Sequence, residues 1–122
     1  MAEGNKTTLG ITENLEALLC YVMGWVTGAI FLFIEKENRF VRFHAMQSLV
    51  TFLALSITMM VLLSLEHMLA MPFIYHLVRI VTWLVNLLTF LLWIMLMVKA
   101  WRGESYRLPV AGDFAAKQIG LD

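Results

Sequence analysis

Three long apolar stretches separated by short polar segments form the main pattern of this chain. Residues 15–34, 44–65 and 73–101 are mostly apolar, and most charged side chains lie before, between or after them. Each stretch reaches the roughly 20 residues that a helix needs to cross about 30 Å of hydrocarbon. The apolar positions come in blocks rather than in an alternating pattern. The sequence therefore predicts an all-α protein, an integral membrane bundle of three transmembrane helices with short interfacial helical segments.

Composition supports this interpretation. Of the 122 residues, 61% are hydrophobic and only 15% are charged, whereas a soluble domain is about half apolar and about a quarter charged. The formal net charge is zero, which gives no indication of a nucleic-acid partner. The single cysteine, Cys20, excludes a disulfide framework within the chain.

The polar segments divide the chain further. Residues 1–14 are predicted to be a flexible N-terminal tail, residues 15–101 the transmembrane domain, and residues 102–122 a C-terminal tail with a short amphipathic helix near its end. Thr12 or Asn14 suits the N-cap of the first helix, and Asn38 that of the second. Residues 66–72 are expected to form a loop, with Pro72 starting the third helix.

The distribution of basic residues predicts an orientation. With three spans, the linker at 35–43 and the C-terminal tail lie on one side of the membrane, and the positive-inside rule makes that side cytoplasmic. The N-terminus is then outside, in a multi-pass protein of the cell membrane. The basic residues of these two regions are Lys36, Arg39, Arg42, Lys99, Arg102, Arg107 and Lys117.

A polar segment, EKENRFVRFHAMQS at 35–48, leads into the second apolar stretch. Polar side chains that enter a membrane helix need partners, so the segment is a candidate motif for binding an anionic headgroup, a peptide or the protein's own C-terminal tail. The alternative is that its arginines only mark the membrane boundary. The residues of this candidate motif are Arg39, Arg42, Phe43, His44, Gln47 and Ser48.

Polar residues also recur at helical spacing in the third apolar stretch, where Arg79, Thr82, Asn86 and Thr89 share one face. Such a stripe is costly against lipid and is expected to face protein or a water-filled cleft, with Glu66 as the expected partner of Arg79. It either fixes the bundle by interhelical hydrogen bonds or lines a translocation path, which three helices could enclose only in an oligomer.

In the first stretch, Gly24 and Gly28 form a GxxxG pattern. Small residues at this spacing allow helix backbones to approach closely. We expect them to pack against helices of the same chain rather than to form a dimer.

Catalytic patterns are missing from the sequence. No arrangement of nucleophile, base and orienting residue is visible, and there is no glycine-rich phosphate loop. His44, His67 and His76 are expected near different ends of the bundle, which argues against a shared metal site. The sequence predicts a non-enzymatic protein without a cofactor or metal.

The runs LLCYVMGWVTGAIFLFIEKENRFVRFHAMQS and KAWRGESYRLPVAGD resemble a small family of uncharacterised bacterial and archaeal membrane proteins related to the Tic chloroplast inner-envelope import component. The resemblance covers about residues 14–119, and ENRFVRFHAMQS is its most specific part. It implies a helical membrane protein with a role in protein translocation or its assembly.

The leading functional hypothesis is a non-enzymatic subunit that acts with membrane lipid and with other membrane proteins or further copies of itself. Two alternatives remain. One is a protein that binds anionic lipid or a small ligand through Arg39, Arg42 and His44, and the other is a small oligomeric transporter that uses Arg79 or Asn86.

Overall fold

The computed structural model describes residues 7–120, and within this range all regular structure is α-helical. The prediction of an all-α protein is therefore confirmed, although the number and bounds of the helices differ from the prediction. Five helices follow one another along the chain: α1 (Glu13–Val22), α2 (Trp25–Ile34), α3 (Arg39–Met68), α4 (Pro72–Trp101) and α5 (Ala111–Gln118).

The first apolar stretch does not form the single helix predicted over residues 15–34. Met23 and Gly24 separate α1 from α2, and Gly24 has a φ of 64°, which glycine adopts without the steric cost that other residues incur. The chain then turns back, so that Glu35 at the end of α2 accepts hydrogen bonds from Thr8, which precedes α1. With 10 residues each, α1 and α2 form an antiparallel hairpin about 15 Å long.

The two long helices, α3 and α4, have 30 residues each and are about 45 Å long. They run antiparallel and are joined by residues 69–71. Asn38 caps α3 by accepting a hydrogen bond from the Val41 N–H, and Pro72 begins α4, both as predicted. The loop predicted over residues 66–72 is shorter, because Glu66 and His67 continue the last turn of α3.

Contacts between distant residues place the hairpin at one end of the long helix pair. The Asn14 side chain donates to the carbonyl of Trp101, and the Trp93 indole donates to the carbonyl of Tyr21. We call this end the four-helix end, because α1, α2, the N-terminal part of α3 and the C-terminal part of α4 pack together there. The short helix α5 lies against α3 at the same end. The other end, the two-helix end, consists of the remaining parts of α3 and α4 with the connection at 69–71.

The buried side chains lie in the four-helix end. One cluster joins α1, α3 and α4, a second joins the hairpin to α3, and a third joins α3 to α5. Their fully or almost fully buried members are Ala17, Tyr21, Phe52, Leu96, Ala100 and Leu108 in the first, Cys20, Val41 and Ala45 in the second, and Phe43, Ala115 and Ala116 in the third.

Gly28 sets the distance between α2 and α3. A Cβ atom at this position would lie only 2.8 Å from the carbonyl oxygen of Ala45 and 3.0 Å from Ser48 Cβ. At Gly24 an added Cβ would meet Phe52 at an ordinary 3.6 Å. The two glycines of the GxxxG pattern therefore do different things: Gly24 allows the turn, and Gly28 allows the close contact of α2 with α3.

The two-helix end exposes its apolar side chains. Only 17% of the most apolar window of α3 and 6% of that of α4 are buried inside the structure, which distinguishes them from core helices of a soluble domain. Both helices are long and apolar enough to cross a membrane. Among residues 7–120 these are two such helices, and the three predicted transmembrane helices are not confirmed.

The segments predicted as tails contact the rest of the molecule. Thr7 is buried, and its hydroxyl donates to the carbonyl of Ile11, while Thr8 binds Glu35. Residues 1–6 of the predicted flexible tail lie outside the described residues. At the other end of the chain, α5 lies against α3.

Candidate functional site

The six residues of the candidate motif lie in the first turns of α3, inside the four-helix end. Four of them are completely inaccessible to solvent: Phe43, His44, Gln47 and Ser48. Phe43 packs against Ala115 and Ala116 of α5. The segment is therefore enclosed by the protein's own elements over most of its length.

The two arginines contact backbone carbonyls. Arg42 Nη1 donates to the carbonyl of Glu35 at 2.8 Å and to that of Leu32 at 3.1 Å. These carbonyls belong to the C-terminal turn of α2. Because the helix ends here, it supplies no N–H donors to them, and this turn carries the negative end of the helix dipole. Arg39 is more exposed, and its Nη2 lies 3.4 Å from the carbonyl of Gly120.

His44 and Gln47 form a buried hydrogen-bonded network with Tyr21 of α1. The Tyr21 hydroxyl lies 2.7 Å from His44 Nδ1 and accepts a hydrogen bond from Gln47 Nε2. The other imidazole nitrogen, Nε2, lies 2.9 Å from the carbonyl of Glu104. His44 thereby joins α1 to the segment that follows α4.

Gln47 extends the same network to the C-terminal segment. Its amide nitrogen donates to the carbonyl of Tyr106 at 3.1 Å, and its amide oxygen accepts from the N–H of Leu108 at 3.0 Å. One side chain thus satisfies two backbone groups of a segment without regular structure. Burying such a segment requires partners of this kind for its backbone.

Ser48 supports the turn between α1 and α2. Its hydroxyl donates to the carbonyl of Gly24 at 2.9 Å. The Thr27 hydroxyl lies 3.0 Å from the carbonyl oxygen of Cys20 and accepts from the N–H of Met23. The break between α1 and α2 leaves backbone carbonyls without helical hydrogen bonds. Together with Trp93, which bonds the Tyr21 carbonyl, side chains of α2, α3 and α4 donate to these carbonyls. A turn surrounded by apolar material requires such donors.

Two glutamates lie at the open end of the hairpin. The Glu35 carboxylate accepts four hydrogen bonds, from Thr8 N and Oγ1 and from the N–H groups of Glu37 and Asn38. Burial opposes the charged form of Glu35, but these bonds outweigh it and lower its pKa. Glu16 is also fully buried. Burial, reinforced by the neighbouring Glu35 carboxylate, raises the pKa of Glu16 from 4.5 to about 7.

The polar stripe of α4 begins in the two-helix end and extends to the hairpin turn, where Thr89 lines a depression together with Gly24. Arg79 contacts Glu66 at 3.7 Å and donates to the Tyr75 hydroxyl at 2.8 Å. A depression of about 300 Å³ surrounds this pair on one face of α3 and α4. We call it the distal groove, and its lining residues are Met59, Leu63, Glu66, Arg79, Thr82, Trp83 and Asn86.

The polar side chains around the distal groove and along the stripe differ in whether they have hydrogen-bond partners. The hydroxyls of Thr82 and Thr89 donate to carbonyls of their own helix, those of Val78 and Val85. Glu66 Oε1 is buried without a hydrogen-bond partner among the described residues. Asn86 is exposed and also lines a second depression of about 360 Å³ toward the hairpin turn. Its amide makes no hydrogen bond within residues 7–120.

The structure therefore brings together His44, Gln47 and Ser48 with groups that the sequence analysis did not assign to them. Their partners are the Tyr21 hydroxyl and the backbone of Gly24, Glu104, Tyr106 and Leu108. Gln47 and Tyr106 are 59 positions apart in the chain, and no local pattern connects them. Within residues 7–120 no group of three or more histidine, cysteine, aspartate or glutamate side chains could hold a metal ion.

These features define a small helical membrane protein. It has two exposed apolar helices, a short hairpin folded against one end of them and a polar network inside that end. The chain belongs to the MamF/MmsF family, described as a magnetosome magnetite crystal formation protein family, which it matches over residues 5–115.

Three relatives support this assignment. Two UPF0132 membrane proteins of Methanocaldococcus jannaschii are 44% identical over 110 residues and 41% identical over 109 residues; the alignments cover 90% and 89% of this chain and 91% and 71% of theirs. A UPF0132 membrane protein of Archaeoglobus fulgidus is 38% identical over 108 residues, covering 88% of this chain and 96% of its own. No solved structure matches the chain.

This membership corrects the resemblance drawn from the sequence. The assignment to a family related to the Tic import component is wrong, because the runs on which it rested, including ENRFVRFHAMQS, lie within the part of the chain that matches the MamF/MmsF family. The role in protein translocation, which followed from that resemblance, is not supported.

Proposed function

We propose that this protein is a non-enzymatic membrane subunit that acts by associating with other membrane-embedded helices through the distal groove. The observation that carries this proposal is the position of Glu66, Arg79 and Asn86 along a groove in the mostly apolar surface of the two-helix end.

The proposal places α3 and α4 across the bilayer and the α1–α2 hairpin within one leaflet. A hairpin about 15 Å long covers about half of a hydrocarbon core about 30 Å thick. Its turn then lies in the membrane interior, where the hydrogen bonds from Ser48, Thr27 and Trp93 replace those that water would make.

The same placement sets an orientation that differs from the predicted one. Because Asn14 contacts Trp101, the start of α1 and the end of α4 lie at the same face of the membrane. The seven basic residues on which the predicted orientation was based belong to the four-helix end, which the positive-inside rule makes cytoplasmic. Both ends of the described chain are then cytoplasmic, and the connection at 69–71 is outside.

Lipid alone supplies few hydrogen-bond partners for the polar side chains of the distal groove. Leaving a buried polar group unpaired costs about 1–3 kcal/mol, and charged or amide side chains in membrane helices almost always face protein or water. Glu66 and Arg79 form a pair, but the Arg79 side chain is 52% exposed, and the exposed Asn86 amide has no hydrogen-bond partner among the described residues. A helix from another membrane protein supplies such partners.

The residues of the candidate motif support a structural role over a ligand-binding one. Arg42 is occupied by the carbonyls of α2, and His44, Gln47 and Ser48 are occupied by Tyr21, the C-terminal segment and the hairpin turn. Of the side chains on which lipid or ligand binding was based, Arg39 keeps the most exposed surface.

Photo-crosslinking in native membranes tests the proposal. A photoreactive residue in place of Trp83, which lines the groove and is 66% exposed, should capture a protein. The same residue in place of Leu88, which is 50% exposed on the opposite side of α4, should capture only lipid. If neither position captures a protein, the proposal fails.

A further inference from the structure

The chain after α4 runs alongside the first turns of α3 and reverses direction at residues 108–112, which we call the tip. The helix that follows the tip, α5, packs against Phe43, whereas the N–H of Leu108 bonds Gln47, one turn further along α3. The next residue, Ser48, bonds the turn between α1 and α2. Because neighbouring residues of α3 hold the two turns, with a rise of about 1.5 Å between them, both turns lie at about the same depth.

The tip is an apolar loop closed by an ion pair. Its sequence, LPVAG, contains no polar side chain. The residues on either side of it, Arg107 and Asp113, contact each other at 3.5 Å, so opposite charges are paired at its base. A Cβ atom at Gly112 would lie only 2.6 Å from the Arg107 Cα, and this close approach narrows the base. Beyond the paired charges the loop therefore presents apolar residues alone.

Val110, at the end of the tip, has a backbone conformation that is unusual for its residue type. Its φ is 69° and its ψ is −62°, and the Ala111 N–H bonds the Pro109 carbonyl at 2.8 Å. These values define a γ-turn of the rare, strained type, and such a φ is an outlier for a β-branched residue. The Val110 side chain is 81% exposed, so packing within the chain offsets little of this strain. Strain of this kind points to a contact outside the chain.

The backbone of the tip is bonded within the protein. The N–H of Leu108 bonds the Gln47 side chain, those of Ala111 and Gly112 bond carbonyls of the tip itself, and Pro109 has no N–H. Backbone that enters hydrocarbon needs such internal partners, because no water is present to replace them.

An apolar groove of about 600 Å³ lies between the tip and the two long helices. Val50 and Leu55 of α3 and Leu92 of α4 line it, and Thr51 is the polar side chain among its lining residues. A water molecule in a cavity needs about two to four polar partners, which this groove does not offer. Hydrocarbon chains suit it better.

From these features we infer that the C-terminal segment is a second membrane-inserted turn: the tip enters the cytoplasmic leaflet beside α3, and lipid hydrocarbon chains cover Val110 and fill the groove. Lys117, which is exposed and lies two helical turns, about 10 Å, from Val110, is then nearer to the lipid headgroups. The inference uses the proposed placement of α3 and α4 across the bilayer. It does not depend on association through the distal groove.

Depth-dependent fluorescence quenching tests the inference. The full chain carries a bimane fluorophore on Val110→Cys or on Lys117→Cys, in vesicles of phosphatidylcholine and phosphatidylglycerol. A nitroxide on the lipid chain should quench the fluorophore at position 110 more than a nitroxide on the headgroup does. The order should be reversed at position 117, and aqueous iodide should quench there alone. The native Cys20 is fully buried, and the parent protein provides the background.

Val110→Asp tests the same contact without a fluorophore. With Phe114→Cys as the reporter in open membrane fragments, adding Val110→Asp should speed labelling by an impermeant maleimide about tenfold to hundredfold, the factor that corresponds to burial of a valine side chain. Gln118→Asp, at an exposed position of α5 outside the tip, is the matched control and should leave the rate unchanged. Cys20 should stay unlabelled throughout, which shows that the core is intact.

The outcomes separate this inference from the proposed function. Leu88→Cys, on the exposed surface of α4, serves as the reference for a lipid-facing position. If the chain nitroxide quenches position 88 while iodide quenches position 110, the inference is overturned and the proposed function stands. Position 110 quenched by neither reagent means that protein covers the tip, which also overturns the inference. Without quenching at position 88, the placement across the bilayer fails and both proposals fall.

Discussion

Glu16 and Glu35 lie side by side at the open end of the α1–α2 hairpin, yet their surroundings shift their pKa values in opposite directions. Four hydrogen bonds hold the Glu35 carboxylate in its charged form. Neither carboxylate oxygen of Glu16 has a hydrogen-bond partner within residues 7–120, and Glu16 lies next to the negative charge of Glu35. Glu16 therefore holds a proton at a pH where an exposed glutamate has lost it.

This difference predicts a pH dependence of stability. Folding raises the pKa of Glu16 from 4.5 to about 7, so the folded state binds this proton more tightly than the unfolded chain. The resulting stabilisation is fully present below the ordinary pKa and is lost as the pH rises through about 7, so stability falls with rising pH over this window. Thermal unfolding in detergent across this range measures the slope.

Glu16→Gln keeps a neutral side chain at this position and should flatten the slope. Glu37→Gln is the matched control, because Glu37 is exposed and should leave the slope as it is. An unchanged slope in Glu16→Gln would show that another group titrates.

At the level of elements, the C-terminal segment depends on α3 for its position. The Gln47 amide bonds Tyr106 and Leu108, His44 bonds Glu104, and α5 lies on Phe43. This segment supplies few backbone hydrogen bonds of its own before α5. The ordered conformation of this segment is therefore expected to depend on the side chains in the first turns of α3.

Gln47→Leu should release this segment. The substitution leaves the Leu108 N–H and the Tyr106 carbonyl without their partner, at a cost of about 2–6 kcal/mol for the two groups together. Limited proteolysis in detergent should then cut within residues 103–110 much faster than in the parent protein. Gln118→Leu, at an exposed position of α5, should not change the cleavage rate, and equal rates for the two variants would contradict the assigned role of Gln47.

The elements differ in how far the sequence could predict them. Blocks of apolar residues and the caps at Asn38 and Pro72 placed α3 and α4 to within a few residues. Glu66, expected as the nearest partner of Arg79, does contact it. The break at Gly24 was missed, because a glycine that permits a turn and one that permits close contact look alike in a GxxxG pattern. The network of Gln47 was missed because its partners come from a distant segment.

At the scale of the whole molecule, the hairpin decides the number of crossings. With a continuous first helix the two ends of the chain lie on opposite sides of the membrane. In the proposed placement, with the turn at Gly24, the two ends of the described chain lie on the same side, together with the basic residues. The proposed orientation therefore depends on one local backbone conformation.

Labelling with a membrane-impermeant maleimide tests this arrangement. Lys36→Cys, between α2 and α3, and Lys117→Cys, in α5, should react from the same side of sealed vesicles, and Gly10→Cys, before α1, should react from that side as well. Met71→Cys, in the connection between α3 and α4 and 61% exposed, should react only from the other side. If position 10 instead reacts from the side of position 71, the hairpin arrangement is excluded.

The unequal number of helices at the two ends also gives the molecule a tapered outline. In the proposed placement four helices, each about 10–12 Å wide, occupy the cytoplasmic leaflet, and two occupy the outer one. A molecule of this shape fits a curved bilayer better than a flat one when its broad end lies in the leaflet on the convex side. Partitioning between narrow tubes and flat sheets of the same lipid should therefore favour tubes whose outer surface meets the broad end.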